Sequence, residues 1–257
     1  MIEGKFNTDA NALKKRIEIH EKFGSKNLNQ WIFEQLDLKE GMVILDLGCG
    51  TGKQTIPMAQ VVKKKGHLYS IDISKEALFS LQHSAKQLGV DRRISLICGE
   101  LDKLSSYFQG RDFDRVLSCY SLYYAKNPKS VLSTIYRFLK KEGVLFFCGP
   151  AKNNNAELKE FHYSLQKKQP RIATDASIFM EDESPRLVND LFDKVESCLF
   201  ENILHFRSAE DLFNYWSSYN LYDEDFEDDF RKAANKYFQT RDIFETVKLV
   251  VGIKAIK

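Results

Sequence analysis

The sequence has few of the features that mark secreted, membrane-bound or metal-binding chains. Its five cysteines are widely spaced and contain no C-x-x-C pair, which argues against a disulfide framework or a zinc site. The histidines form no H-x-x-x-H or H-E-x-x-H motif, so we expect no metal. No stretch of about 18 apolar residues occurs, and Met1–Lys5 lacks the apolar region of a signal peptide. We therefore expect a cytoplasmic protein with no membrane partner.

An excess of charge of one sign is also missing. The chain has 38 Lys and Arg against 36 Asp and Glu, so it has no global field that would hold a polyanion. The 257 residues, 43% of them hydrophobic, can form one large domain with a sizeable core. The acidic run from Asp223 to Asp229 further disfavours nucleic acid as a partner.

Three alternating glycines follow the clearest strand pattern of the chain. The run Val43–Leu47 suits a strand buried on both faces, and helical spacing resumes from Thr55 to Val62. Between them, the glycines of Gly48–Gly52 allow a sharp turn and a close approach of the backbone to a ligand. Asp72 ends the next apolar run, 20 residues beyond Gly52, where a carboxylate can accept both hydroxyls of a ribose.

The spacing of the glycines excludes two common nucleotide loops. A dinucleotide fingerprint would need glycine where the chain has Lys53. A phosphate-binding P-loop would need glycine in place of Leu47, and Ser or Thr in place of Gln54. Asp46 lies inside the turn and would repel a pyrophosphate. The sequence thus favours a phosphate-free ligand that carries a cation.

From Gly41 to Pro150 short apolar runs alternate with helical patterns, which indicates a parallel sheet with helices on both faces. Two helices are expected before it, one on Leu13 and Ile17 and another on Leu28 to Leu36. After it we expect a helical insertion and two further strands in the same sheet. The predicted strands are 43–47, 67–71, 94–98, 113–118, 144–148, 195–206 and 244–256.

The segment from Val43 to Gly52, together with Asp72, resembles the first motif and the ribose-binding acid of the class I S-adenosylmethionine-dependent methyltransferases. The resemblance continues through Gly99-Glu100, the strand from Phe113 to Ser118 and the turn Leu139–Gly143. It implies a Rossmann-like, doubly wound α/β fold of about seven strands, mostly parallel with an antiparallel C-terminal strand. We expect a single domain, with an N-terminal helical cover (1–40), a cofactor-binding core (41–150), a helical insertion (151–194) and C-terminal strands and helices (195–257).

The resemblance also implies a set of residues that bind the cofactor S-adenosylmethionine, with S-adenosylhomocysteine as product. Asp46 would hold the ammonium group, and Asp72 would accept the ribose hydroxyls. The adenine would lie on Ile73, and Glu100 with the Leu101 amide would bind its edge. Tyr120 would lie beside the sulfonium. The amides around Gly48 and Gly50 would approach the amino-acid part of the cofactor, and the cofactor-binding turn would comprise Gly48, Cys49, Gly50 and Gly52.

The reaction expected from this resemblance is in-line methyl transfer to oxygen or nitrogen of a small molecule. Candidate bases are His20, Tyr123 and Tyr124, and His162 is a further candidate. Segment Ser118–Ser121 lacks the prolines of base- and glutamine-directed N-methyltransferases, and Cys119 lacks the context of a cytosine-directed nucleophile. A tRNA or protein methyltransferase and a non-catalytic cofactor-binding module remain as alternatives, and a homodimer is left open.

Overall fold

The computed structural model describes residues 15, 18–20, 22–108, 110 and 112–257. The predicted helix on Leu13 and Ile17 lies outside the described residues at both positions. The helices are α1 (Leu28–Leu36), α2 (Thr55–Val62), α3 (Lys75–Gln87), α4 (Leu104–Tyr107), α5 (Pro128–Phe138), α6 (Ala156–Leu165), α7 (Asp175–Ile178), α8 (Ser184–Asn189), α9 (Ala209–Ser218) and α10 (Glu227–Phe238). The strands are β1 (Val43–Leu47), β2 (His67–Asp72), β3 (Ile94–Cys98), β4 (Phe113–Cys119), β5 (Leu139–Pro150), β6 (Lys194–Phe206) and β7 (Phe244–Ile256).

The strands form one seven-stranded sheet in the order β3-β2-β1-β4-β5-β7-β6. Strands β1 to β5 pair in parallel. Strand β7 runs antiparallel to β5, because Glu142 N donates to Lys257 O at one end and Ala151 N donates to Leu249 O at the other. The α/β sheet with an antiparallel C-terminal strand is therefore confirmed.

The carboxyl ends of β1, β2 and β4 meet at the point where the strand order reverses. Strand β1 lies between β2 and β4. Leu47 pairs with Ile71 of β2, and Asp46 pairs with Leu117 of β4. In open α/β sheets ligands bind at such a switch point, outside the carboxyl ends of the strands. The glycine turn that follows β1 is therefore in the position where the fold class places a ligand.

Strand β5 begins earlier than its apolar run predicts. It starts at Leu139, which pairs with Phe113, and the register then shifts so that Arg115 pairs with Val144. The residues between the two pairs bulge, and Glu142 has a φ of 61° there. A turn was expected at Leu139–Gly143, and the backbone instead forms an irregular start to the strand.

Two helices next to the expected site have the start signals that their sequences predict. Ser74 Oγ accepts the Ala77 N–H at the start of α3. Asn127 Oδ1 accepts the Ser130 N–H at the start of α5, and Pro128 occupies the first turn. These caps fix the chain directly after β2 and after the segment that follows β4.

The chain divides into two compact units. The glycine-loop unit comprises Leu28–Pro150, Ala176–Leu199 and Val251–Lys257. The second unit comprises Ala151–Asp175, Phe200–Val250 and the described residues up to Asn27. The predicted helical insertion is helical, and its residues are shared between the two units. The division does not test the prediction of a single domain, which therefore stays a prediction.

Each unit has its own apolar core. In the glycine-loop unit the core includes Leu45, Phe113, Phe147 and Ile253. In the second unit Trp216 stacks on Phe230 with ring centroids 4.2 Å apart. Within the described residues, no helix has the length and apolar character needed to cross a bilayer.

Candidate active site

Asp46 is a buried carboxylate in strand β1. Only 2% of the residue is exposed, and Oδ2 accepts a hydrogen bond of 2.5 Å from Thr55 Oγ1 at the start of α2. Burial raises the pKa of this carboxyl to about 7, and the nearby Asp72 adds to the increase, while the Thr55 hydrogen bond opposes it. A cation bound beside Asp46 would offset the cost of burying its negative charge.

The turn after β1 is held in shape by its own amides. The N–H groups of Gly48 and Cys49 both donate to Ile71 O, at 2.8 and 3.0 Å. The Gly50 N–H donates to Asp72 Oδ2 at 2.8 Å. Because these three donors are used within the protein, the turn would meet a ligand with its Cα and carbonyl groups, and not with the amides that the resemblance assigns to the amino-acid part of the cofactor. Cys49 is buried against Leu78 and Leu81, and burial raises the pKa of its thiol.

The three glycines have positive φ angles of 70°, 52° and 88°, and the space beside them differs. A Cβ on Gly48 would lie 2.2 Å from Ser121 Cβ, and one on Gly52 would lie 2.1 Å from Leu81 Cδ1. A Cβ on Gly50 would meet no atom within 4 Å. Gly48 and Gly52 are therefore needed for packing, whereas the space over Gly50 is open to a ligand.

The Asp72 carboxylate lies at the carboxyl end of β2 and accepts one backbone N–H on each oxygen. Oδ2 binds Gly50 N, and Oδ1 binds Ser74 N at 2.9 Å. A carboxylate has about four acceptor sites, so each oxygen retains capacity for a ligand hydroxyl. Ile73, the next residue, is 43% exposed and offers an apolar surface beside this carboxylate.

Glu100, which follows β3, is held by two lysines. Its carboxylate accepts Lys103 Nζ at 2.8 Å and Lys126 Nζ at 3.2 Å. These two hydrogen bonds and the charges behind them lower the pKa of Glu100, so it is an anion at neutral pH. Leu101 begins the short helical turn that follows Glu100.

Tyr107 is a residue of this region that the sequence patterns did not single out. Its hydroxyl accepts the Glu100 N–H at 3.0 Å. A Cβ on Gly99 would lie 2.3 Å from the same hydroxyl, so the glycine makes room for the tyrosine. Tyr107 thus fixes the backbone at the residue predicted to bind adenine. A Gly-acid step after a strand followed by an aromatic residue one or two turns later is the signal that could have found it.

The segment after β4 has an unusual backbone at Tyr120. Its φ is 56°, and its N–H donates to Cys148 O at 2.8 Å. Directly after it, Ser121 Oγ donates to Leu47 O at 2.6 Å and bonds Ser118 Oγ at 2.6 Å. A non-glycine residue at positive φ is held there by its surroundings, which here tie the end of β4 to the end of β1.

Tyr123 and Tyr124 form a short helical turn after this segment. Their rings lie 4.6 Å apart, with Tyr123 buried and Tyr124 36% exposed. Burial, followed by the charge of Tyr124, raises the pKa of the Tyr123 phenol well above its usual range. At neutral pH Tyr123 is therefore a hydrogen-bond donor. Gly149 lies against Tyr123, since a Cβ there would come within 2.9 Å of its ring.

His20 belongs to the second unit and has a polar partner at each ring nitrogen. Lys248 Nζ lies 2.8 Å from Nδ1, and the Tyr215 hydroxyl lies 3.0 Å from Nε2. Tyr215 donates in turn to Asn155 Oδ1 at 3.0 Å. If Lys248 donates to Nδ1, the imidazole proton lies on Nε2 and points to Tyr215. The structure therefore brings His20 into a network of polar side chains in its own unit.

His162, also in the second unit, is buried in the core. Its Nδ1 accepts the Trp216 indole N–H at 3.2 Å, and burial lowers the pKa of its imidazole. This contact gives His162 a structural role. Trp216 and Tyr215 are likewise fully buried core residues.

The residues of the glycine-loop unit fit a cationic nucleoside without phosphate. Asp46 supplies a buried carboxylate for an ammonium group, and Asp72 supplies acceptor sites for a pair of hydroxyls. The open space over Gly50 lies beside Asp72, and Ile73 offers an exposed apolar side chain to a flat base. S-adenosylmethionine has all of these groups, so the donor and acceptor set fits this cofactor.

Comparison with known proteins agrees with the fold. A family model described as methyltransferase domain matches residues 38–216. A solved S-adenosylmethionine-dependent methyltransferase from Aquifex aeolicus superposes with a TM-score of 0.58 at 17% identity, over 98% of this chain and 99% of that one. The biotin biosynthesis bifunctional protein BioHC of Teredinibacter turnerae is 31% identical over 109 residues, which is 40% of this chain and 18% of that protein.

Arsenite methyltransferase of Mus musculus is 31% identical over 114 residues, 42% of this chain and 30% of the mouse protein. The matched segments thus span less than a third of these two relatives. The family model covers well over half of the chain, and the motif residues of the glycine turn lie within it. The chain therefore belongs to the methyltransferase-domain family, in the class I group that uses S-adenosylmethionine.

Proposed function

We propose that this protein transfers the methyl group of S-adenosylmethionine to oxygen or nitrogen of a small-molecule acceptor. The bound cofactor supplies a methyl group on a sulfonium, which leaves as a thioether when the acceptor forms the new bond. The observation that carries the proposal is the pairing of a buried acid, Asp46, with an open glycine turn and the Asp72 carboxylate. This set suits a cationic nucleoside and would repel a phosphate.

The protein's own residues have mainly a binding and positioning task in this reaction. Asp46 would bind the ammonium group as an anion, and Asp72 would fix the ribose through two hydrogen bonds. Tyr120 would limit the space beside the sulfonium. Holding the two reacting atoms about 3 Å apart and in line is a large part of what catalysis of such a transfer requires.

Charge supports a small acceptor over a nucleic acid. Residues 200–250, which form one of the segments of the second unit, carry eleven Asp and Glu against six Lys and Arg. A segment of this sign repels a phosphate backbone. The proposal therefore includes no nucleic-acid and no membrane partner.

A proton must leave an acceptor hydroxyl or a protonated amine during transfer, and Tyr124 and His20 are the candidates to accept it. Tyr123 is also a candidate base from its sequence, but its phenol stays protonated at neutral pH, so it would instead orient the acceptor as a hydrogen-bond donor. Tyr124 is more exposed and could exchange a proton with water. His20 could pass a proton through Tyr215 or Lys248, with which it shares hydrogen bonds.

Calorimetry tests the cofactor first. We expect binding heat with S-adenosylmethionine and with S-adenosylhomocysteine, and none with NAD. Asp46→Asn should weaken the binding of S-adenosylmethionine, because a neutral amide replaces the carboxylate beside the ammonium group. Binding of NAD without S-adenosylmethionine would overturn the proposal.

The acceptor can be found with methyl-labelled S-adenosylmethionine and a cell extract divided into metabolite, RNA and protein fractions. We expect label in the metabolite fraction. Label in RNA or protein would instead establish the alternative of a tRNA or protein methyltransferase. Binding without transfer to any fraction would favour the alternative of a non-catalytic cofactor-binding module.

The labelled product also decides which atom is methylated. We propose oxygen or nitrogen, and the carbon NMR chemical shift of the transferred methyl group would distinguish these from carbon. The similarity to an arsenite methyltransferase adds arsenic to the acceptors worth assaying, since that name describes an acceptor that is neither oxygen nor nitrogen.

A further inference from the structure

Two cysteines that are 29 residues apart in sequence lie side by side at the carboxyl ends of β4 and β5. Cys119 and Cys148 are partners in the parallel register, and their Sγ atoms are 3.6 Å apart. Neighbouring strands are about 4.8 Å apart, which is inside the Cα separation of about 4.4–6.8 Å that disulfides allow. Both residues are free thiols in this structure.

The pair is partly accessible and next to the proposed cofactor site. Cys119 is half-buried, whereas Cys148 is almost fully buried. Tyr120 follows Cys119 directly, and its N–H donates to Cys148 O. Both cysteines thus flank the backbone that holds Tyr120 at its positive φ. Closing a sulfur–sulfur bond would shorten the Sγ separation from 3.6 Å to about 2 Å, so both side chains would have to reorient beside this backbone.

We propose that Cys119 and Cys148 are an oxidisable dithiol that closes to an intramolecular disulfide with a small-molecule disulfide as oxidant, and that closure weakens cofactor binding. The Cys119 thiolate attacks one sulfur of the small disulfide and releases one thiolate. The Cys148 thiolate then attacks the Cys119 sulfur of the mixed disulfide and releases the second. The protein loses two electrons and two protons, and the small disulfide becomes two thiols.

The pH dependence follows from the surroundings of the pair. The Cys148 thiol and burial together raise the pKa of Cys119 well above its usual range. The reactive thiolate is therefore scarce at neutral pH. As long as the pH is below that pKa, each increase of one pH unit raises the amount of thiolate about tenfold. Slow oxidation at pH 7 and faster oxidation at pH 8.5 are expected. Reversible closure of this kind fits a protein from a reducing compartment, where lasting disulfides are rare.

The first experiment treats the full-length protein with oxidised glutathione and measures intact mass and linked peptides. The exposed Cys98 is the internal comparison, because a lone thiol can form only a glutathione adduct. We expect a peptide that contains a Cys119–Cys148 disulfide and no glutathione adduct on either residue. Dithiothreitol should reduce this disulfide. An adduct on Cys98 with no link between Cys119 and Cys148 at either pH would overturn the dithiol.

The second experiment measures the affinity for S-adenosylmethionine before and after oxidation in a Cys98→Ser background. The effect on the cofactor rests on the proposed function, and we expect a loss of affinity of at least threefold that dithiothreitol restores. Cys148→Ala should bind the cofactor and lose this sensitivity. Equal affinity of the linked and reduced forms would refute the regulatory part. Absence of binding in the reduced protein would count against the proposed function and leave the linkage result untouched.

Discussion

Replacing Asp46 by Asn should stabilise the protein more at high pH than at low pH. The folded state raises the pKa of this carboxyl from 3.8 to about 7, so the folded protein holds its proton more tightly than the unfolded chain does. The stability that comes from this group is fully present below pH 3.8 and is lost as the pH rises through 7. Asn has no proton to lose and is free of this loss.

The size of the effect follows from the shift. One pKa unit corresponds to 1.36 kcal/mol, so the buried carboxylate lowers the free energy of unfolding by about 4 kcal/mol at pH 8 and by about 1.5 kcal/mol at pH 5. The amide keeps an acceptor for Thr55 and adds a buried NH2 group, whose cost is equal at both pH values. The difference between the two pH values, about 2.5 kcal/mol, is therefore the quantity to measure.

Urea unfolding of the wild type and Asp46→Asn, both without cofactor, gives this difference at pH 5 and pH 8. Asp193→Asn is a matched control, because Asp193 is exposed and the same exchange should alter stability by less than about 0.5 kcal/mol. If the gain of Asp46→Asn over the wild type is the same at both pH values, Asp46 has an ordinary pKa, and the argument for a buried acid awaiting a cation fails.

Four further predictions concern the cofactor and the proton. Gly50→Ala should lower the free energy of unfolding by only about 1 kcal/mol, because the new Cβ meets open space, but it should bind S-adenosylmethionine poorly. Gly48→Ala should unfold far more easily in urea, since its Cβ would collide with the Ser121 side chain. Asp72→Ala should lower the affinity for S-adenosylmethionine about thirtyfold, because two hydrogen bonds to a charged acceptor are lost, and calorimetry measures this change. His20→Ala should lower turnover with little change in cofactor affinity, and full activity would remove it from the candidate bases. Tyr123→Phe should raise KM for the acceptor more than it lowers kcat, and an unchanged KM would contradict its role as a donor.

Local patterns predicted the strands well, because each short apolar run encodes its own burial. Val43–Leu47, Ile94–Cys98 and Phe244–Ile256 have the predicted bounds. The glycine turn could also be predicted from the sequence, since glycine is the residue that adopts a left-handed backbone conformation most easily. Of the predicted strand bounds, the start of β5 differs most from the structure, because a bulge with positive φ at Glu142 carries no apolar signal.

The contacts between distant residues could not be predicted from the sequence. Ser121 lies against Gly48, and Cys119 lies beside Cys148, only because parallel strands bring them into register. His20 meets Lys248 across 228 residues. Such partners depend on the packing of the whole chain, which a search for motifs and spacings does not describe.

The division of the chain into two units has a consequence for how the protein is made. Residues Val251–Lys257 belong to the glycine-loop unit, where Ile253 and Ala255 are buried in its core. That core begins near Leu45, so it cannot be completed until these residues have left the ribosome. No single cut in the chain separates the two units, because the backbone passes between them repeatedly. Removing a few C-terminal residues should therefore damage the unit that contains the glycine turn, some 200 residues earlier in the sequence.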